Sequence, residues 1–386
     1  MKQLKLTGLA LGATLIALFN SCSKNEGILP AGTPSSVSTG LKLEQDGYVY
    51  TMGNQADLNM IYSYEQHADG SLTLDSIFAS GGSGSGEGLG TQGSLVLNED
   101  HTLLFAVNAG DNSISSFTVD AEGILALSST HGSEGTTPVS LTVYGKYVYV
   151  VNSGSDNIAG FTIDINGSLN YIPGSSQPLS TTEAGPGQIS FRPNGNQLLV
   201  TEKATSRLTF YNVTGGVASA PQWVASAGKT PFGFDFMNNK NVIITNAEEG
   251  IEHLSSATSY YYLGGNNISS VQVSGPVENN QTAACWLVIA KGSTPYAYVS
   301  NTGSNNISSY AIDMSGNLTL VHDIAATTHE EPLDMSLIST NGNYLYCVTA
   351  GNHGIDEFSR NTDGTLEMIG SVEGLPASVS GLAAYR

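Results

Sequence analysis

The chain has 386 residues, 45 of them glycine, with 12% charged residues and 13 basic against 33 acidic side chains, a formal charge of −20. Length alone leaves room for two or three ordinary domains. So small a charged fraction leaves little to cover the wet faces of helices and argues for strands and turns. The acidity excludes nucleic acid as a partner, because nothing offsets repulsion by phosphates.

Residues 1–21 place Lys2 and Lys5 before an apolar run at 6–19, which leads into Asn20-Ser21-Cys22. That run is too short to span a bilayer comfortably and has the build of a secretory signal. With the polar Ser23-Lys24-Asn25-Glu26 behind the cysteine, the segment resembles a bacterial lipoprotein signal cleaved before Cys22. Lipid on Cys22 would make the membrane a partner, since each buried methylene adds about 0.8 kcal/mol of affinity. The alternative is an ordinary secretory signal with Cys22 unmodified. Cleavage removes two lysines and no acids, taking the charge from −20 to −22. Residues 22–46, rich in Ser, Thr, Gly and Pro, read as a lipid-anchored flexible tether.

From residue 47 onward the sequence repeats itself. Apolar strands end at Met52-Gly53, Val107-Asn108, Val151-Asn152, Thr201-Glu202, Thr245-Asn246, Ser300-Asn301 and Thr349-Ala350, at intervals of 44 to 55 residues. That is the period of a four-stranded propeller blade. A polar turn and a second strand follow each anchor, as in Ser155-Asp156-Asn157-Ile158, Asn266-Asn267-Ile268 and Asn305-Asn306-Ile307. Asn and Asp suit such turns because they tolerate left-handed backbone angles. A further turn comes next in each copy, at Asp69-Gly70, Glu122-Gly123, Asn166-Gly167, Ser315-Gly316 and Asp363-Gly364, with looser versions at Gly215-Gly216 and Gly275-Pro276. Pro138, Pro186, Pro231, Pro332 and Pro376 mark where a fourth strand gives way to the next unit; Gln92 and Ala283 stand near that place in the other two. The last strand has no partner after it, and the first copy has no strand before it. Pairing them closes the ring and removes its exposed sheet edges. The expectation is an all-β, seven-bladed propeller over 47–386, monomeric, with four-stranded antiparallel blades. Cys285 and Cys347, each within an apolar strand, read as buried free thiols, and no metal site or cofactor is expected.

With strands lettered A to D from the channel outward, the D–A and B–C loops share one face and the A–B and C–D turns the other. On the first face the strand-B ends gather Asn108, Asn152, Glu202, Asn246 and Asn301. Val139, Gly187, Gln188, Phe232 and Asp334 join them from behind the prolines. Glu202 is the lone acid among the amides. The alternative is that the asparagines only bond their own turns. A B–C loop of the fifth unit, residues 247–267, carries His253 and Tyr260-Tyr261-Tyr262, which could stack on a sugar ring or another aromatic, with Tyr261 the candidate contact, or could form a small extra hairpin packed over the ring. Residues 80–93, with Gly84, Gly86, Gly88 and Gly90, read as a flexible lip and not a phosphate cradle, because a strand follows instead of a helix. His329 lies in a D–A loop on the same face, with no orienting partner visible. The opposite face, filled by tight turns, is expected to hold little chemistry.

Repeats such as Tyr147-Val148-Tyr149-Val150-Val151-Asn152-Ser153-Gly154-Ser155-Asp156-Asn157-Ile158 resemble those of the seven-bladed lactonase propellers, which include a 6-phosphogluconolactonase type and the carboxymuconate cyclases. They are also similar to the Tyr-Val-Thr-Asn propellers of surface-layer proteins. The family's enzymes carry Gly-Pro-Arg-His, then Phe-x-Pro-Asn, then Asn-Glu. Here the frame reads Gly185-Pro186-Gly187-Gln188, Phe191-Arg192-Pro193-Asn194 and Thr201-Glu202, so Gly187 and Gln188 stand where the resemblance implies the cationic pair that holds an anionic substrate. Lys203, Arg207 and Lys229 are the nearby replacements, whereas Arg192 falls in an A–B turn on the other face. Two readings follow. In one, an exported hydrolase acts on a neutral lactone, with Glu202 as base and Gln188, Asn152 and Asn246 polarising the carbonyl. In the other, a non-catalytic propeller at the cell envelope binds a glycan or protein.

Overall fold

Thirty strands and a single short 3-10 turn, Glu248–Gly250, make up the secondary structure of the residues that the computed structural model describes: 47–263, 269–338 and 343–385, without the side chains of 262–270. The signal, the tether and Cys22 lie outside them. The strands form seven antiparallel sheets. Blade 1 pairs the C-terminal strand Ser380–Tyr385 with Gly47–Met52, Tyr48 facing Tyr385, so the first and last strands close the ring in one sheet. The A strands of blades 2 to 7 are Leu95–Leu97, Pro138–Tyr144, Pro186–Phe191, Pro231–Phe236, Ala284–Ala290 and Pro332–Ile338. Each meets the A strands of its two neighbours, which makes them the channel wall. Four of the prolines open an A strand, where the missing N–H is not required by the ladder.

Blade contacts follow a repeated chemistry. In blades 1, 3 and 7 a strand-B tyrosine donates its hydroxyl to the C–D turn of the next blade: Tyr50 to Gly123 O at 2.8 Å, Tyr149 to Gly216 O at 2.7 Å and Tyr346 to Gly70 O at 2.8 Å. The strand-B residue before the last one ties the next blade's strand A. Thr201, Thr245 and Ser300 donate to Phe232 O, Cys285 O and Leu333 O. These carbonyls lie at β-bulges that open strand A in blades 5, 6 and 7. Because the A strands splay apart, amides of one are capped by side chains of the one before. Ile189 N donates to Ser140 Oγ, Phe234 N to Gln188 Oε1, Ile289 N to Asp235 Oδ2 and Gly381 N to Asp334 Oδ2, at 2.7–3.1 Å. Cys285 and Cys347 are buried free thiols, and burial pushes the Cys285 pKa up to about 12.

Blade 5 departs from expectation. Its strand C is Ser256–Leu263 and its strand D is Ser269–Glu278. Tyr260–Tyr262 therefore belong to strand C, not to a loop, and Gly275-Pro276 lies inside strand D, not at the C–D turn. The Asn266-Asn267 turn falls outside the described residues. The B–C connection is the shorter stretch 247–255. Local turn chemistry misleads here because a second Asn-Asn-Ile stands one strand farther along than in the other blades.

Candidate functional site

The strand-B ends expected to ring the channel point into their own blades. Asn108, Asn152, Glu202, Asn246 and Asn301 are all fully buried. Asn108 Nδ2 donates to Ser113 Oγ and Ser115 Oγ, and its Oδ1 accepts from Asn59 and Ser80. Asn246 bonds Ser256 and Thr258, and Asn301 bonds Asn306 and Ser308. Asn152 donates to Ser133 O; its amide oxygen and that of Asn246 have no protein partner. Such bonds to strand-C hydroxyls and adjacent turns are the structural work that short polar side chains usually perform.

Glu202 occupies the equivalent position in blade 4 and does the same with a carboxylate. Oε1 accepts from the Ser180 amide at 2.9 Å and Thr209 Oγ1 at 2.6 Å; Oε2 accepts from Ser180 Oγ and from Thr205 Oγ1 at 2.8 Å. Four donors on two oxygens leave no exposed lone pair directed at the channel. Arg207 donates to Ser180 Oγ at 3.0 Å and stacks on Trp223 at 3.8 Å, so it braces this cluster. Gln188 is buried, with Oε1 committed to Phe234 N. Gly187 lies at a bulge where a Cβ would meet Thr201 Oγ1 at 2.9 Å and Phe232 O at 3.0 Å, so a longer side chain there needs the wall to shift.

Residues 80–93 close this mouth of the channel and are not a loose lip. Gly84 N and Gly86 N donate to Gln55 O and Asn54 O, and a Cβ on Gly84 would overlap the Asn54 backbone. The chain then crosses the mouth. Leu89 N bonds Ser380 Oγ in blade 1, Thr91 Oγ1 bonds Val139 O in blade 3, and Gln92 N bonds Gly187 O in blade 4. On the far side Gln92 pairs with both backbone groups of Leu287 in blade 6, at 2.7 and 3.0 Å, and Trp286 Nε1 donates to Thr91 O at 3.0 Å. Lys203 donates to Gly90 O at 2.7 Å and sits 4.7 Å from the centre of the Phe232 ring; burial pulls its pKa below the usual lysine range. Phe232 and Trp286 pack with centroids 4.9 Å apart. Asp334 is buried beside them, and burial lifts its pKa to about 7 against the opposing pull of the Gly93 and Gly381 amides and Trp286.

The remaining candidates scatter. Tyr261 pairs with Asn241 at the start of strand B, so it lies toward the A–B turns, away from this mouth. Lys229 is exposed and ion-paired with Glu249 at 3.2 Å. His253 is an exposed loop residue bonded to Asn280 O. His329 does have an orienting partner: buried Asp356 holds its Nδ1 at 2.6 Å and its amide at 2.8 Å. Asp356 lies in strand C of blade 7, a position no local motif linked to that loop. Space opens instead on the A–B turn face, where turns were expected to leave little room. A cavity of ≈ 600 Å³ enters the channel there past Asp235, Lys291 and Ser336.

A family described as "Lactonase, 7-bladed beta-propeller" matches residues 43–175 and 266–380; Gly187, Gln188 and Glu202 fall in the interval between. No curated protein matches the chain. The fold is similar to that of a proposed 6-phosphogluconolactonase from Bacteroides uniformis, 20% identical, with TM-score 0.67 over 87% of this chain and 99% of that one. It is also similar to the Pseudomonas aeruginosa periplasmic gluconolactonase PpgL, 18% identical, with TM-score 0.63 over 88% and 99%. A Lactobacillus plantarum protein, 18% identical, reaches TM-score 0.72 over 89% and 100%. With seven closed blades and a family match over well over half its length, the chain belongs to the seven-bladed β-propeller lactonase family.

Proposed function

We propose that this chain is a ligand-binding member of the lactonase family, carried to the bacterial cell envelope by its signal and held there by lipid on Cys22. In this reading Glu202 and Gln188 are framework residues and do not hydrolyse lactones. The observation that carries it is the Glu202 carboxylate, wholly buried with four hydrogen-bond donors on its two oxygens. A general base needs an accessible lone pair within reach of the proton it takes. The closed mouth supports the same reading, since Lys203, a cation at that mouth, donates to Gly90 O. Among the described residues no helix is long and apolar enough to cross a membrane, so the envelope reading rests on residues 1–22.

A second reading, hydrolysis of a neutral lactone, would use Asp334, whose pKa of about 7 beside the Trp286–Phe232 pair suits proton transfer once the mouth opens around its buried carboxyl. One assay separates the readings, using purified protein with glucono-δ-lactone and 6-phosphogluconolactone. No turnover above the spontaneous rate is the expected result. Turnover abolished in Asp334→Asn but kept in Glu202→Gln would establish the second reading. Turnover lost in a folded Glu202→Gln would return Glu202 to catalysis and defeat the proposal.

A further inference from the structure

The open end of the channel has a chemistry of its own. Its ≈ 600 Å³ cavity is of mixed character, with the partly exposed Leu97, Leu337 and Ala384 from blades 2, 7 and 1 beside Asn98, Glu99 and His101. A second hollow of ≈ 330 Å³ shares Asp235, Lys291, Ser336 and Leu337 with it and continues to Arg360. The two are therefore joined around Lys291. Exposed Lys291 stands at the rim. Arg360 is held in place by Tyr298, with Nε 3.4 Å from the hydroxyl and the guanidinium 5.5 Å from the ring centre. Asp235 is half-buried on the wall, and one of its oxygens accepts from Ile289 N.

The distribution of positive charge singles this end out. Eight lysines and arginines fall among the described residues of a chain whose formal charge is −20. Lys146, Arg192, Lys240 and Lys291 lie in the A–B turns of blades 3, 4, 5 and 6, and Arg360 ends strand C of blade 7 on the same face. Of these, Lys291 and Arg360 border the two hollows, while C–D turns of the same face carry Asp69, Asp120, Asp313 and Asp363, so attraction for an anion is local to Lys291 and Arg360. The exposed acid at the cavity is Glu99, from blade 2. Burial raises the Asp235 pKa against the pull of Lys291 and the Ile289 and Phe236 amides, so Asp235 is the charge an incoming anion must compete with at Lys291.

We infer that the channel mouth on the A–B turn face binds a small amphipathic carboxylate, its apolar body against Leu97, Leu337 and Ala384 and its carboxylate at Lys291. A rim lysine suits this task because it meets the anion without being desolvated first, while the apolar body gains about 25 cal/mol for each Å² taken from water. The site does not depend on the reading of the closed mouth, because a lactone hydrolase acting there could carry it equally.

The test is calorimetric titration of the full chain in detergent with 3-phenylpropionate and, separately, with its uncharged amide. Saturable one-to-one binding of the acid is expected, weakened about tenfold or more for the amide and in Lys291→Met. Lys146→Met, which removes an exposed charge on the same face outside the cavity, is expected to bind as the parent does. Lys291 is exposed, so its replacement leaves the fold intact, and an unchanged melting temperature checks that. No saturation by ~10 mM acid would overturn the inference. So would equal binding of the amide, or equal weakening in the Lys146 and Lys291 variants, which would mean diffuse charge attraction. None of these outcomes is touched by lactone turnover.

Discussion

Tyr48, Tyr147, Tyr296 and Tyr344 each lie against a C–D turn glycine of the next blade, at Gly123, Gly216, Gly364 and Gly70. Those glycines hold φ between 73° and 90°, and a Cβ on any of them would overlap the tyrosine ring. The Tyr-x-Tyr strand motif and the turn glycine are thus two halves of one interblade contact. Gly123→Ala is expected to cost more than about 2 kcal/mol, combining the backbone penalty with a clash in a packed seam. Gly145→Ala also sits at positive φ but faces open space, so about 1 kcal/mol is expected. Urea unfolding of the two variants makes the comparison, and equal losses would show that packing against Tyr48 contributes nothing. Turn glycines are legible in the sequence because the backbone demands them locally. The tyrosine each one meets is not, since the contact joins residues up to 276 positions apart, as for Tyr346 and Gly70. Glu202 was misleading for the same reason: its four donors come from residues 180, 205 and 209, which no spacing rule connects to a strand end.

At the scale of elements, segment 80–93 shows where composition stops being informative. Its glycines and serines report a high conformational entropy in the unfolded chain. They do not report that its backbone and side chains find partners in blades 1, 3, 4 and 6. Glycine is what allows the close approach to Asn54, so the property read as looseness permits tight seating. Gln92 is the anchor, replacing for Leu287 the partner that splayed A strands cannot provide. In Gln92→Ala the Leu287 amide is expected to exchange with solvent about tenfold faster or more, while the Ile189 amide, capped by Ser140, keeps its protection. Unchanged exchange at Leu287 would mean that the segment is not fastened through this residue. The blade count and ring closure were readable from period alone; blade 5 was not, because a repeated turn signal cannot say which strand it follows.

For the whole molecule the seam between blades 7 and 1 matters most, since it joins the last strand to the first blade. Two buried carboxyls from blade 7 cross it. Asp334 accepts from the Gly381 amide at 3.1 Å, and Glu357 from the Leu72 amide at 3.1 Å. Burial raises both to about 7, from ordinary values of 3.8 and 4.5. At other seams Ser129 receives the Leu169 amide, Ser274 the Leu318 amide and Gln188 the Phe234 amide, none with a titratable proton, whereas Asp235 caps the Ile289 amide between blades 5 and 6 and burial raises its pKa too. A carboxyl whose folded pKa is raised favours the protonated native state. Its contribution is complete below the unfolded pKa and is lost as pH climbs through the folded one, at most about 1.4 kcal/mol per pH unit for each group. Stability should therefore decline from about pH 4.5 to just above pH 7 and then level off. Exposed Asp69, Asp313 and Asp363 act in the opposite sense, their pKa values lowered chiefly by hydrogen bonds within their turns, but their effect belongs below the ordinary aspartate range. Asp334→Asn combined with Glu357→Gln keeps an acceptor for each amide and removes both titrations. Melting temperatures measured between pH 5 and 8 should then fall by several degrees in the parent and distinctly less in the double variant, where Asp235 is the remaining buried acid with a raised pKa. A parent that gains stability across that interval would show that ionised carboxylates, not neutral acids, close the ring.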